Sequence, residues 1–213
     1  MKKKFGIGTL IICAAAAAGY VGFTKLNLNN QEEVERLERI VESLKEESVP
    51  IKFKVEYTDK LNVSKNQQTE VSIKFFDQDE KQVSRMSYIL EGTEVFFDFK
   101  VLHIASKDTY FFFPYSLYTD KMEPANGILI CNDYTSNGMP LIYRSKALNS
   151  PEDEEFFSEL LKYITEETEL KEEDLAYGYS VHDMSDFNIK FKPNTTYKII
   201  CHNKKGGIEF LED

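Results

Sequence analysis

Ile51-Lys52-Phe53-Lys54-Val55-Glu56-Tyr57 is the stretch on which the fold turns. Apolar side chains at 51, 53, 55 and 57 alternate with charged ones at 52, 54 and 56, the period of a strand with one face buried and one wet. The pattern returns at Val71, Ile73 and Phe75, set against Ser72 and Lys74, and Asp77 to Lys81 then reads as a turn. Asp77, Asp79 and Lys81 occupy the spacing of a calcium loop, but the lysine reverses the charge and the required glycine and terminal glutamate are missing.

Downstream, candidate strands run over 83–90, 95–104, 109–113, 128–131, 141–143, 187–191, 197–201 and 208–211. Gly92, Pro114, Gly127, Gly138 and Pro140 punctuate the middle of this series, and 203–207 joins the last two strands as a hairpin. One helix is predicted in the body, with Ser150 as its N-cap, Pro151 at the first helical position and Asp153 in the first turn. Its buried stripe is Phe156, Phe157, Leu160, Leu161 and Ile164. A charged, irregular passage follows over 165–186, with a short helix near 170–177. Strands and helices do not alternate regularly, which favours antiparallel over parallel pairing. The expected fold is therefore mainly β with one or two packed helices, either β-sandwich-like or an α+β antiparallel sheet. The β-rich domain spans 50–213, with a sub-boundary expected near 105–108.

Upstream of Pro50 the period changes. Asn30 and Glu33 resemble a capping box, Val34, Leu37, Val41 and Leu44 recur at spacings of three and four, and Val49-Pro50 closes the segment. This predicts an amphipathic helix over 29–49. It serves either as a stalk that pairs two chains weakly through residues 31–47 or as a helix laid on the β domain. Further upstream, residues 5–23 carry no charge and, at about 1.5 Å of helical rise each, nearly cover a hydrocarbon core about 30 Å thick. Lys2, Lys3 and Lys4 precede them, so residues 1–24 read as a signal anchor in a bacterial inner membrane, with the C-terminal domain extracytoplasmic. Ala14 to Ala18 also supply small residues for signal cleavage, which would leave a secreted or periplasmic protein. Lipidation at Cys13 fits poorly, because Ile12 is large where a lipoprotein signal needs a small residue.

The 213 residues are 42% hydrophobic and 29% charged, with 16 Phe, 12 Tyr and no Trp, which is the usage of a folded globular chain. The net charge is −10, and after the three leading lysines the chain stands at −13. Such a surface repels nucleic acid.

Chemistry-bearing motifs are few. His103, His182 and His202 have no second ligand at zinc-site spacing, and there is no Cys-x-x-Cys, so no metal or cofactor is expected. Cys201 and His202 are neighbours in a strand and point to opposite faces. His182, Asp183 and Asp186 read as a solvated loop. No nucleophile elbow or phosphate-cradling loop occurs, although 36 acidic residues leave room for a pair of catalytic carboxylates. Cys131 and Cys201 each end a predicted strand. They either pair, closing a loop of about 70 residues and stabilising by about 4 kcal/mol, or stay as two buried thiols.

The densest apolar feature is Tyr110-Phe111-Phe112-Phe113-Pro114-Tyr115, followed by Leu117 and Tyr118. It reads either as a central strand covered on both faces or as an aromatic wall in which Tyr110, Phe111, Phe113, Tyr115 and Tyr118 meet a partner or ligand. The functional reading favoured is a non-enzymatic, membrane-anchored or exported envelope protein whose β-rich domain binds another envelope protein. A carrier or sensor of an apolar small molecule and a carboxylate-dependent hydrolase stay open beside it.

Overall fold

A computed structural model describes residues 34–58, 68–166, 179–184 and 190–213 of the chain. The chain divides into two compact units, Met1–Glu42 and Ser43–Asp213. The described residues of the first, 34–42, belong to a helix, α1, which runs over 34–43, stopping short of the expected end at 49, and carries Leu37 and Val41 one turn apart. Residues 5–23 and the capping pair Asn30 and Glu33 lie outside the described residues, among which no helix is long and apolar enough to cross a membrane.

The second unit is mainly β, with antiparallel sheets and a packed helix. Its strands are β1 (Glu47–Thr58), β2 (Gln68–Phe76), β3 (Gln82–Glu91), β4 (Val95–Ile104), β5 (Thr109–Thr119), β6 (Ile128–Leu129), β7 (Thr135–Ser136), β8 (Met139–Pro140), β9 (Tyr179–Met184), β10 (Thr196–His202) and β11 (Ile208–Glu212). Five form one sheet in the order β11-β10-β1-β2-β3, four form a second in the order β6-β5-β4-β9, and β7 and β8 make a small hairpin. The helix α2 spans Pro151–Glu166.

The alternation that opens β1 does what its period requires. Ile51, Phe53 and Val55 are buried, Lys52, Lys54 and Glu56 are not, and Val71, Ile73 and Phe75 of β2 lie opposite Val55, Phe53 and Ile51. The two large sheets meet through aromatic rings: Phe53 lies 4.7 Å from Phe97 of β4, and both contact Phe210 of β11. On the other face of the second sheet, Phe156 and Phe157 of α2 pack against Phe111 of β5. The start of α2 is held by reciprocal bonds, the Asp153 amide donating to Ser150 Oγ (3.2 Å) and the Ser150 amide to the Asp153 carboxylate (3.1 Å).

Several boundaries differ from the sequence expectation, each for a local reason. β1 begins at Glu47, and Pro50 sits inside it where the register to β10 shifts between Ser48 and Ile51, a break in the ladder that tolerates a residue without an N–H. β5 continues through Pro114 to Thr119. Of the strand expected over 128–131 only Ile128–Leu129 is one, Ile130 opening a 3-10 turn that runs to Tyr134, and Leu141–Tyr143 is a 3-10 turn rather than a strand. Ala105–Lys107, where a sub-boundary was expected, is the short connection between β4 and β5, which pair along their whole length. β9 falls inside the passage read as irregular, and the short helix expected near 170–177 lies outside the described residues.

β5 is buried almost throughout, so its backbone groups need partners on the side away from β4. β6 serves only Ser116 and Leu117. Beyond it, the Tyr134 hydroxyl donates to the Pro114 carbonyl and the Tyr143 hydroxyl to the Phe112 carbonyl, both at 2.9 Å, while the Tyr110 amide donates to the Asn203 carbonyl at 2.8 Å. Pro114 itself has no N–H to satisfy. Both phenols are buried, and burial raises their pKa well above the ordinary 10.

Tyr134→Phe and Tyr143→Phe should each cost about 1–3 kcal/mol, read from denaturant midpoints, because each leaves a buried carbonyl without its donor. A phenol whose folded pKa is raised keeps its contribution below pH ~10 and loses it as pH rises, since only the unfolded chain releases the proton there. Stability should therefore fall above pH ~10, and the fall should be shallower in the double variant.

Candidate binding groove

The residues around Pro114 build a groove. β4 and β5 pair regularly from Val95 with Thr119 to Asp98 with Ser116, and then Phe99 faces Pro114, leaving Tyr115 as the extra residue of a bulge. A bulge bends its strand and re-aims a side chain. Here it directs Tyr115 outward, half-buried, with Lys100 Nζ 5.1 Å from the ring centre.

Tyr115 forms one wall of a groove of about 530 Å³. Leu129 of β6, Cys131 and Leu161 of α2 complete its apolar part, and Leu129 is 44% exposed. The rim is polar, with Asn132 from the 3-10 turn and Glu155, Ser158, Glu159, Lys162 and Thr165 from α2. These α2 positions recur at spacings of three and four, so they form one helical face. Apolar walls with a few polar groups at the edge, at this volume, suit a small ligand or the anchor side chains of a peptide.

Of the five aromatic residues expected to line a surface, only Tyr115 reaches the groove. Phe111 and Phe113 are fully buried, Phe111 against Tyr143, Phe156 and Phe157, and Phe113 against Tyr143 at 5.1 Å. Tyr118 is buried and stacked on Phe96 at 5.3 Å, while Tyr110 is half-buried and stacked on His103 at 4.1 Å. The run forms a strand covered on both faces, the first of the two readings its composition allows. Leu129, Asn132 and the α2 residues carried no signal, because the wet face of a helix and a wall of a groove have the same polar composition.

Cys131 and Cys201 are free thiols, both buried. Burial pushes Cys131 up to about 11, and the Asp133 carboxylate beside it adds to the effect. Burial also raises Cys201. A thiol at about 11 is protonated at neutral pH, and the thiolate is the nucleophilic form. Burial raises Asp133 too, whereas the hydrogen bond it accepts from the Tyr88 hydroxyl acts in the opposite direction. Tyr88 is raised by burial and by that carboxylate.

Elsewhere, His103 Nε2 stands 3.6 Å from Asp108, and His202 lies between Glu47 and Glu209 at 3.1 and 3.6 Å on the opposite face of β10 from buried Cys201. The described part of the His182, Asp183 and Asp186 cluster is backbone in β9, where His182 lies opposite Val101, and Asp186 is outside the described residues. Asp77 Oδ1 accepts from the Asp79 and Lys81 amides at 3.0 and 2.8 Å, as the cap of the turn between β2 and β3. Among the described residues no group of histidine, cysteine and carboxylate side chains could hold a metal ion.

Comparisons with protein-family models, with curated proteins and with solved structures find no match to this chain.

Exposed Leu129 and buried Phe113 should separate folding from surface. Leu129→Glu should leave the unfolding midpoint within about 0.5 kcal/mol of the parent, whereas Phe113→Ala should cost about 3–5 kcal/mol. Thiol titration should show Cys131 and Cys201 reacting slowly in the folded chain and at once in denaturant.

Proposed function

We propose that this chain is a non-enzymatic envelope protein, tethered through residues 5–23, whose extracytoplasmic domain binds a segment of another envelope protein in the groove between α2 and β6. One observation carries the reading. The bulge at Pro114 turns Tyr115 away from an otherwise sealed strand and sets it across from exposed Leu129, beside the two-residue edge strand β6. An aromatic anchor and an exposed leucine beside unpaired strand edge offer a peptide both side-chain and backbone contacts. The three leading lysines and the uncharged run after them supply the tether.

A second reading, a carrier or sensor of an apolar small molecule, draws on the same groove, whose volume of about 530 Å³ lies within the range of small-molecule sites. Both are tested by placing a photo-crosslinking aromatic amino acid at Tyr115 in the full-length chain and irradiating intact cells, with the same group at Lys54 on the far sheet as control. One protein captured at Tyr115 and not at Lys54, and lost with Leu129→Glu, is the expected result. A captured lipid in place of a protein would transfer the site to the second reading, and equal capture at both positions would remove the groove from consideration.

A further inference from the structure

The outer face of the five-stranded sheet carries a row of cations across four strands. Lys198 of β10 lies opposite Lys52 of β1, Lys52 opposite Lys74 of β2, and Lys74 opposite Arg85 of β3. Like charges directly opposite one another in a sheet are destabilising. At one end the row is offset by Asp213, whose carboxylate lies 2.7 Å from Lys52 and 3.8 Å from Lys198. The other end is Arg85, exposed on the last strand of the sheet.

That last strand is long. Among the described residues at sheet ends, β6 has two residues, β11 five and β9 six, whereas β3 has ten. β3 contains no proline and no lysine, the residues that usually blunt such an edge, and it exposes Ile89 (60%) and Met86 (40%). A long edge with exposed apolar side chains is a template for another strand.

We infer that β3 pairs with β3 of a second copy of this chain, antiparallel, about a two-fold axis through Tyr88. A two-fold axis perpendicular to the sheet keeps faces matched only when opposing residue numbers share parity. With the axis at Tyr88, Arg85 faces Glu91 of the second copy, Met86 faces its Leu90, and Ser87 faces its Ile89. The cation at the end of the row meets a carboxylate, and the two exposed apolar side chains gain cross-strand neighbours. Moving the axis to Ser87 or to Ile89 sets Arg85 against Ile89 or Thr93 and loses the charge match. The pairing uses neither the groove nor residues 31–47.

The test is the mass of the full-length chain in detergent by size exclusion with light scattering, across a dilution series. A dimer is expected. Arg85→Glu and Glu91→Arg should each weaken it about tenfold or more, because the symmetry converts two attractive contacts into two repulsive ones. The double variant R85E/E91R should return to within about threefold of the parent, and mixing the two single variants should give heterodimers. A monomeric parent, a dimer indifferent to both reversals, or a double variant that fails to recover would each overturn the pairing. Far-ultraviolet circular dichroism of the single variants guards against unfolding, which is not expected at two exposed positions.

Discussion

The second unit is organised by the demand that β5 satisfy its backbone while buried on both faces. Phe53, Phe97 and Phe210 bring the five-stranded sheet to one side of the second sheet, and α2 covers the other with Phe156 and Phe157. A strand enclosed in this way normally sits mid-sheet, with neighbours on both edges. β5 has a full neighbour in β4 only, because β6 is two residues long. The missing ladder is replaced by two phenol hydroxyls and one backbone carbonyl, at distances of ordinary hydrogen bonds. An unmet carbonyl in that position would cost about 1–3 kcal/mol, so the placement of Tyr134 and Tyr143 is a condition for the rest of the packing.

That condition propagates to the surface. Holding Tyr134 under Pro114 fixes the turn Ile130–Tyr134, and with it Cys131 and Asn132 at the groove. Holding Tyr143 under Phe112 fixes the turn Leu141–Tyr143, whose ring stacks on Phe157 at 4.9 Å and so positions α2. Gln78 ties the same turn to the hairpin between β2 and β3, donating to the Ile142 carbonyl at 3.0 Å while its amide bonds the Arg144 carbonyl. At the opposite end, Asn203 joins β5 to the segment before β1, its amide and side chain bonding the Glu46 and Lys45 carbonyls. The groove is thus built of side chains whose backbones are anchored to one strand.

How much of this was legible depends on whether the signal was local. Period-two alternation located the middle of β1 and of β2, because a half-buried strand writes its two faces into consecutive residues, while β4 was found as a run set off by Gly92. The start of α2 was legible for the same reason, since Ser150, Pro151 and Asp153 act within one turn. Leu141–Tyr143 was misread as a strand because three apolar residues in a row look alike in a strand and in a buried 3-10 turn. The length of β5 was missed because Pro114 ordinarily stops a strand, and only its neighbour across the sheet reveals that its ring sits on an unpaired edge. Tyr115 was singled out with four other aromatics, yet the bulge that distinguishes it depends on a register with β4 that no local pattern encodes.

The ionisable groups also bear on what the groove is suited to do. Acid–base chemistry at neutral pH calls for a group whose pKa is brought towards 7. Tyr88, Tyr134, Tyr143, Cys131 and Cys201 are all raised, chiefly by burial, and stay protonated, and of these five Cys131 lines the groove. Farther off, Asp120 is lowered by the backbone amides of Glu94 and Thr93, which it caps at 3.0 and 2.7 Å, so it stays ionised. Asp133 is moved upward from the carboxylate range by burial, and the Tyr88 hydroxyl it accepts from opposes that movement. Groups held this firmly in one protonation state act as fixed donors and acceptors. On the binding reading proposed above, the groove's aromatic and leucine walls with a polar rim are the parts a partner would meet.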